Sequence, residues 1–523
     1  MVFAFLVLAV HAGAQYTKEF RRIFFDADYL YMTGFYEEAL NRYKNLLRLD
    51  PENDNLKFRC GSCCLKIQGK EMEAIPYLAE AAENVSLSYD NNTERETSAP
   101  VITWFMLGRA YHMDSKFGPA KKFYTKYIES SGNEDPTQVE YAALQLEACT
   151  RAEQLVGKPA GFVFESVLDR FDADLPSCSN PVVSGDGSVL IFLVDFPSDK
   201  KIMMTTKEGD YFREPMAINS EIRMVGETYP SSLSYDGTEL YLVHEYYSHS
   251  DILVSRYVNG RWTEAELLNH HINKRSSETH ASISKDGNRL YFSSDRRGGE
   301  GSFDIYVSEM RPGKGWGPAK NLGPAINTPL EELTPFISSN DSILFFSSQG
   351  YASLGGHDVF FSELGEDGKW QKPENVGYPV STTGEDLFFN PGWDDLKGYY
   401  AVRKANDPGS NTINMVMEIA PEMQAEIIET VGPVEVEIIA DKLKRVTFGT
   451  PDASDIQPLL ADVQVDVAEE QVSKTPERDP GSSDRVPVPG DQRYRATRPE
   501  TAEGALTVSD PAEVHERKAL TPE

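Results

Sequence analysis

A block of about 50 residues recurs through the middle of the chain with its landmarks in register. Glu227, Glu278, Glu332 and Glu385 open successive blocks, and Trp262, Trp316 and Trp370 close three of them at equal spacing. Between these stand Ser-Tyr-Asp-Gly (Ser234 to Gly237), Ser-Lys-Asp-Gly (Ser284 to Gly287) and Ser-Ser-Asn-Asp (Ser338 to Asp341). In the third block the strand-like runs are His280 to Lys285, Arg289 to Ser294, Phe303 to Ser308 and Trp316 to Leu322, with Asp286-Gly287 as a tight turn. A period of this length made of short strands means a β-propeller, in which radial repetition leaves only short sheet edges.

Blocks two and four repeat the order with Leu240-Tyr241-Leu242 and Leu344-Phe345-Phe346 as second strands. Block one runs from Pro181 to Asn219, with Phe212 in the Trp position. Block five has Leu387-Phe388-Phe389, Gly398-Tyr399-Tyr400 and Ile413 to Val416, but no closing strand. Phe162 to Asp172 resembles the outer strand and linker that precede a block. It is expected to pair with block five, which closes the ring and removes its free edges. The propeller therefore spans residues 160–420 with five blades, or six if Ile427 to Val446 adds strands.

Residues 15–158 carry a helical period and a second repeat. Trp104, Leu107, Gly108, Tyr111 and Ala120 fit the tetratricopeptide pattern of about 34 residues. Ile23, Ala27, Leu30, Ala39 and Tyr43 give one further copy, and Phe58, Leu65, Ala74 and Leu78 a weaker one. Gly34 and Gly69 fall in the turns, the polar stretch Val85 to Ser98 reads as an exposed loop, and Gln138 to Val156 as a capping helix. By resemblance to that family, Phe24, Asp28, Tyr31, Met32, Arg59, Cys63, Lys66, Phe105, Arg109, His112 and Met113 face the concave groove. Arg59, Lys66, Arg109 and His112 make a basic strip there, suited to an acidic peptide or a C-terminal carboxylate. The same face could instead pack on the propeller.

On the propeller, the loops after each second strand and those joining blades share one face. That face holds Tyr246, Tyr247, His249, Arg296, Arg297, Tyr351, His357, Arg403 and Lys404. Aromatic and Arg residues suit a protein interface, with loop solubility as the plain alternative. The repeated Asp251, Asp304 and Asp358 read as structural groups bonding loop amides.

With 82 acidic against 51 basic residues the net charge is −31, which argues against nucleic acid and anionic membrane surfaces. Met1 to Ala14 reads as a signal peptide: Val2 to Val10 is almost unbroken apolar, and Ala12-Gly13-Ala14 fits cleavage. It is too short to span a bilayer, and no other segment could. Cys60, Cys63, Cys64, Cys149 and Cys178 are too few and too scattered for a disulfide framework or a zinc site, and read as buried small hydrophobes. No metal or cofactor is expected. Residues 421–449 hold alternating apolar positions for one or two strands. Residues 450–523, where acidic residues outnumber basic ones about two to one, predict a disordered tail.

The blocks resemble the WD40-like, TolB-type (PD40) propeller repeat. Asn321 to Thr328 followed by Glu332 to Ser338 is similar to the version in Bacteroidota envelope proteins, where tetratricopeptide repeats and this propeller precede an OmpA-like domain. The peptidoglycan-linked Por-type component of type IX secretion belongs to that family. No OmpA-like domain is expected after residue 420, so peptidoglycan binding is not implied. The Asp-Gly turns resemble sialidase Asp-boxes, which are structural, and no Tyr/Glu nucleophile pair, Gly-x-Ser-x-Gly, HExxH or phosphate loop is present. What the resemblance implies is a non-enzymatic, periplasmic or outer-membrane-associated scaffold for envelope proteins; the alternative is an exported glycan-binding or glycan-processing propeller.

Overall fold

A computed structural model describes residues 16–130, 136–156, 162–168, 175–196, 199–209, 211–224, 226–393, 397–404 and 407–418. The expected signal peptide, the strands expected at 421–449 and the acidic tail lie outside the described residues.

The N-terminal region is helical. Three helix pairs, α1 (Lys18–Met32) with α2 (Tyr36–Leu49), α3 (Asp54–Cys64) with α4 (Ala74–Ala81) and α5 (Ile102–Met113) with α6 (Phe117–Ser130), are followed by α7 (Pro136–Leu155). Each helix packs on its sequence neighbours. Local chemistry sets the ends. Thr17 and Asn53 cap α1 and α3 by accepting the Phe20 and Leu56 amides at 3.1 and 3.0 Å. Gly34 turns the chain between α1 and α2 at φ 86°. A Cβ on Gly108 would lie 2.8 Å from the Tyr124 ring, and one on Gly61 2.5 Å from Leu78, so glycine lets the paired helices cross closely. All five cysteines are buried and unbridged, Cys60, Cys63 and Cys64 within the helical core.

The segment expected as an exposed loop is instead a strap. Val85–Ser86 pairs in parallel with Ala99–Pro100. The chain between them folds back on α3, where the Asn55 amide donates to Thr97 O at 3.1 Å and Tyr89 OH donates to Asn55 Oδ1 at 2.7 Å. The strap offers acceptors to the polar residues of α3, and its Glu94 is buried.

Five antiparallel sheets follow, one per blade. Blades 1 to 4 start at Cys178, Thr228, Glu278 and Glu332, and their outer edges are short broken strands. Blade 5 is Lys397–Lys404 and Asp407–Glu418, completed by Phe162–Ser166 with Asn414 opposite Ser166 and Glu418 opposite Phe162. The strand ahead of blade 1 thus closes the ring as expected. The run Leu387 to Phe389 forms no full inner strand; only Asn390 bridges to Tyr399.

The Ser-x-Asp-Gly motif recurs because of its hydrogen bonds. In blade 3, Asp286 Oδ1 accepts Ser284 Oγ at 2.7 Å and the Asn288 amide at 3.0 Å, while Ser284 Oγ accepts the Arg289 amide at 2.9 Å. Asp186, Asp236 and Asn340 repeat this. The glycines Gly187, Gly237 and Gly287 sit at φ 67°, 72° and 70°, a region closed to most side chains.

One register is corrected. Counted from these turns, the residues that open the inner strands of blades 1 to 4 are Cys178, Thr228, Glu278 and Glu332; in blade 5, which has no such turn, the left-handed Phe388 corresponds to His280 and Thr334 and makes Asp386 the counterpart of Glu278 and Glu332. Glu227 and Glu385 stand one position earlier, so they are not the equivalents of Glu278 and Glu332. Because side chains alternate along a strand, that single step decides which carboxylates are buried: Glu278, Glu332 and Asp386 are, whereas Glu227 is exposed.

Around the axis stand Asn180, Pro230, His280 and Thr334, each two residues into an inner strand, and Phe388 of blade 5. All but the proline adopt φ between 48° and 59°, and Asn180, His280 and Thr334 do so at inner-strand bulges. The cavity they leave is about 30 Å³, room for a water or two.

Candidate functional site: two predicted surfaces that meet

Only part of each expected surface meets the other: Arg109, His112 and Met113 of the groove lie at a junction with the propeller that includes His357 of its face. The Arg109 guanidinium of α5 pairs with Glu385, in the link between blades 4 and 5. Glu385 Oε2 in turn accepts from His357 Nδ1 at 2.7 Å and from its amide at 3.0 Å, and His357 Nε2 lies 3.5 Å from Glu331. Gln145 Nε2 of α7 donates to Gly355 O at 2.6 Å, Arg151 Nε to Ser353 O at 2.9 Å, and Thr383 Oγ1 to Met113 O at 3.3 Å. Burial would push the His357 imidazolium down, but its contacts with the Glu331 and Glu385 carboxylates prevail and raise the group to about 9. Burial would likewise raise Glu385, yet the His357 hydrogen bond and the Arg109 charge lower it to about 2. Both ions are therefore held charged near neutrality. His112 is buried in the same junction and kept neutral, its pKa lowered by burial to about 4. Lys66 is exposed, and the charges of Arg109, Glu385 and Glu331 act on it.

The other half of the groove is satisfied within the helical region. Arg59 pairs with Asp28, donates to Asn91 Oδ1 at 2.9 Å and lies over the Phe24 ring at 4.6 Å. Cys63 lies in the same core. Phe24 and Phe105 are buried core residues, Phe105 among Tyr124, Tyr127 and Tyr141. Tyr31 is half-buried against Tyr36, and Met32 is exposed.

On the propeller, Arg296 turns inward. It donates to Ile272 O at 2.7 Å, pairs with Glu278 at 3.2 Å and lies 4.8 Å from the centres of the Phe292 and Tyr306 rings. Tyr351 OH donates to Ile326 O at 2.7 Å, which ties blade 4 to the preceding link. Arg403 and Lys404 end a strand of blade 5, and their side chains lie outside the described residues. Open to solvent are Tyr246, Tyr247 and Arg297, with Tyr247 92% exposed. Tyr246 stacks on His249 with centroids 4.8 Å apart and meets His244 edge-on at 4.5 Å. Asp304 and Asp358 do bond loop amides, accepting from Glu300 N and Leu354 N at 2.7 and 2.6 Å. Asp251 departs from them: His249 Nε2 lies 3.6 Å away, and its buried Oδ1 has no partner among the described residues. Among those residues no cluster of three or more metal-ligating side chains converges, and no helix is long and apolar enough to cross a membrane.

Sequence reasoning missed Gln145, Arg151, Glu385 as an ion-pair partner, and Asp386. Block five has no Ser-x-Asp-Gly turn from which to count to Asp386, and nothing local marks the others.

The architecture defines a five-bladed β-propeller preceded by a helical region. The chain matches no family model and no curated protein. Among solved structures, TolB from Acinetobacter baumannii is similar at 13% identity over 55% of this chain and 71% of that one, with a TM-score of 0.31. A GH62 α-L-arabinofuranosidase from Coprinopsis cinerea is similar at 10% identity over 50% of this chain and 98% of that one, with a TM-score of 0.34. Likenesses this distant carry no functional argument.

Proposed function

We propose that the protein is a non-enzymatic scaffold of a bacterial envelope, exported to the periplasm and associated there with the outer membrane in a type IX secretion or gliding-type machine. The observation that carries this reading is the seating of the helical groove on the propeller loops through Arg109, Glu385, His357, Gln145 and Arg151. It supports a single two-module body that holds partners, rather than a cleft that opens around a substrate. In this reading the helices are a tetratricopeptide array whose groove is filled by its own chain. Partner proteins dock instead on the open loops of blades 2 and 3, at Tyr246, Tyr247, His249 and Arg297. Glycan processing is disfavoured because glycosidases flank the sugar with two carboxylates. The axis positions carry none, and Glu331 and Glu385 are bridged by His357 with Arg109 over Glu385. The apolar run Val2 to Val10, read as part of a signal peptide, and the repeat resemblance support the location.

In-cell cross-linking of a tagged copy, read by mass spectrometry, tests this. Envelope proteins should be recovered from the wild type and lost from the triple variant Tyr246→Ala, Tyr247→Ala, Arg297→Ala. Recovery of no protein partner, together with a rise in Tm on adding sugars, would turn the assignment to glycan binding.

A further inference from the structure

The three helix pairs differ at one face of their leading helix. Counted back from the buried alanines Ala39, Ala74 and Ala120, the same two positions carry Phe25 and Tyr29 in α1, Cys60 and Cys64 in α3, and Met106 and Ala110 in α5. In α3 and α5 these positions pack toward the preceding pair. Cys60 and Cys64 are fully buried, in one core with the residues of α1 and α2. Ala110 is fully buried in that same core, and Met106 Sδ accepts Ser62 Oγ of α3 at 3.2 Å. α1 is the first element described, and its two positions carry rings instead: Phe25 is half-buried and Tyr29 64% exposed. Met32, three residues further on, is 85% exposed. Spaced at i, i+4 and i+7, the three side chains form one apolar stripe. A stacking face left in water is normally polar, because stacked helix pairs need a polar cap to stay soluble.

The two ends of the stripe are opposite in charge. Its N-terminal end carries Lys18 and Arg21, both exposed. Arg21 lies over the Phe25 ring at 5.7 Å, and it reaches Glu94 at 3.8 Å with two-thirds of its side chain still open. At the other end the last turn of α1 has no basic residue, so the helix brings no cation to the negative end of its own dipole. The first turn of α2 adds Glu37 and Glu38 there.

We propose that this stripe is a dimer interface: a second copy of the chain lays its α1 antiparallel on the first, so that Phe25 of each copy meets Tyr29 of the other.

The charges select this occupant and this direction. Antiparallel pairing brings Lys18 and Arg21 of one copy to the C-terminal turn of the other's α1 and to its Glu37 and Glu38. Parallel pairing would set Lys18 and Arg21 against their own counterparts. The rings and Met32 supply the apolar burial, and the two-fold axis makes every contact occur twice.

Sedimentation velocity of the full chain across a wide range of protein concentration tests this. The wild type should double in mass as concentration rises. The double variant Tyr29→Lys, Met32→Lys alters two exposed side chains and should stay monomeric. Its dissociation constant should rise by on the order of 100-fold, because each lost contact is lost twice and every tenfold step is a modest fraction of one buried side chain. Arg21→Glu leaves the apolar residues in place and should weaken the dimer as well, which decides the matter even where the lysine pair disturbs α1. Met32 oxidation by peroxide should be slowed in the dimer and fast in dilute protein. A wild type that stays monomeric throughout would overturn the proposal, and so would a dimer that all these variants leave intact. Met32 shielded in the monomer would overturn it too, since the stripe would then belong to another part of the same chain.

Discussion

Glu332 opens the inner strand of blade 4 with none of its surface exposed. It accepts the Thr328 amide, Thr328 Oγ1 and Ser348 Oγ, each at 2.7 Å, and no cation pairs with it among the described residues. Its repeat equivalent Glu278 has Arg296 at 3.2 Å. Burial, with the Asp304 charge adding to it, raises Glu332 to about 7. Because the folded value lies above the unfolded one, its stabilisation is complete below about pH 4.5 and is lost as pH climbs through 7. Between pH 5 and 8 the loss is about 3 kcal/mol, from roughly two pH units at 1.36 kcal/mol each. Glu332→Gln cannot ionise, so it should lose that part of the pH dependence. It surrenders one acceptor, a pH-independent cost of about 1–2 kcal/mol. Urea unfolding followed by tryptophan fluorescence tests this, since Trp262, Trp316, Trp370 and Trp393 all lie in the propeller. The wild type should lose about 3 kcal/mol more than the variant between pH 5 and 8. Equal losses would refute the argument.

Three more outcomes follow from the same geometry. Arg296→Ala strips the counter-ion from buried Glu278 and should lower propeller stability by about 3–5 kcal/mol; adding Glu278→Gln should recover most of it in denaturant melts. Gly355→Ala places a Cβ 2.4 Å from the Thr383 backbone, so it should wedge the docking loops apart and raise exchange at α7 while the central strands of blades 2 and 3 stay protected. Cys63 and Cys64 are buried, their thiols raised chiefly by burial to about 12 and about 11; they should resist iodoacetamide at pH 8 in the native protein and react in urea.

Much of the propeller was legible because its information is local. A Ser-x-Asp-Gly turn bonds within six residues, so each blade announces itself wherever its turn occurs. The helix pairs are local too, through caps and the small residues at crossings. The closing strand was legible because block five lacked an edge that Phe162 to Ser166 could supply. Register failed at Glu227 because residue identity matched while the count from the turn did not, and at Glu385 because block five carries no such turn to count from.

The sequence by itself determined the blade repeat, the helical pairing and the ring closure, each specified by hydrogen bonds or apolar periods spanning a few residues or one repeat. Tertiary structure decided what the polar residues are for. Arg109 meets Glu385 across 276 positions, and Gln145 meets Gly355 across 210. Contacts at that separation depend on how two modules come to rest against each other, and no local pattern encodes it. A basic groove and an aromatic, charged face look alike in sequence whether they await a partner or already hold each other.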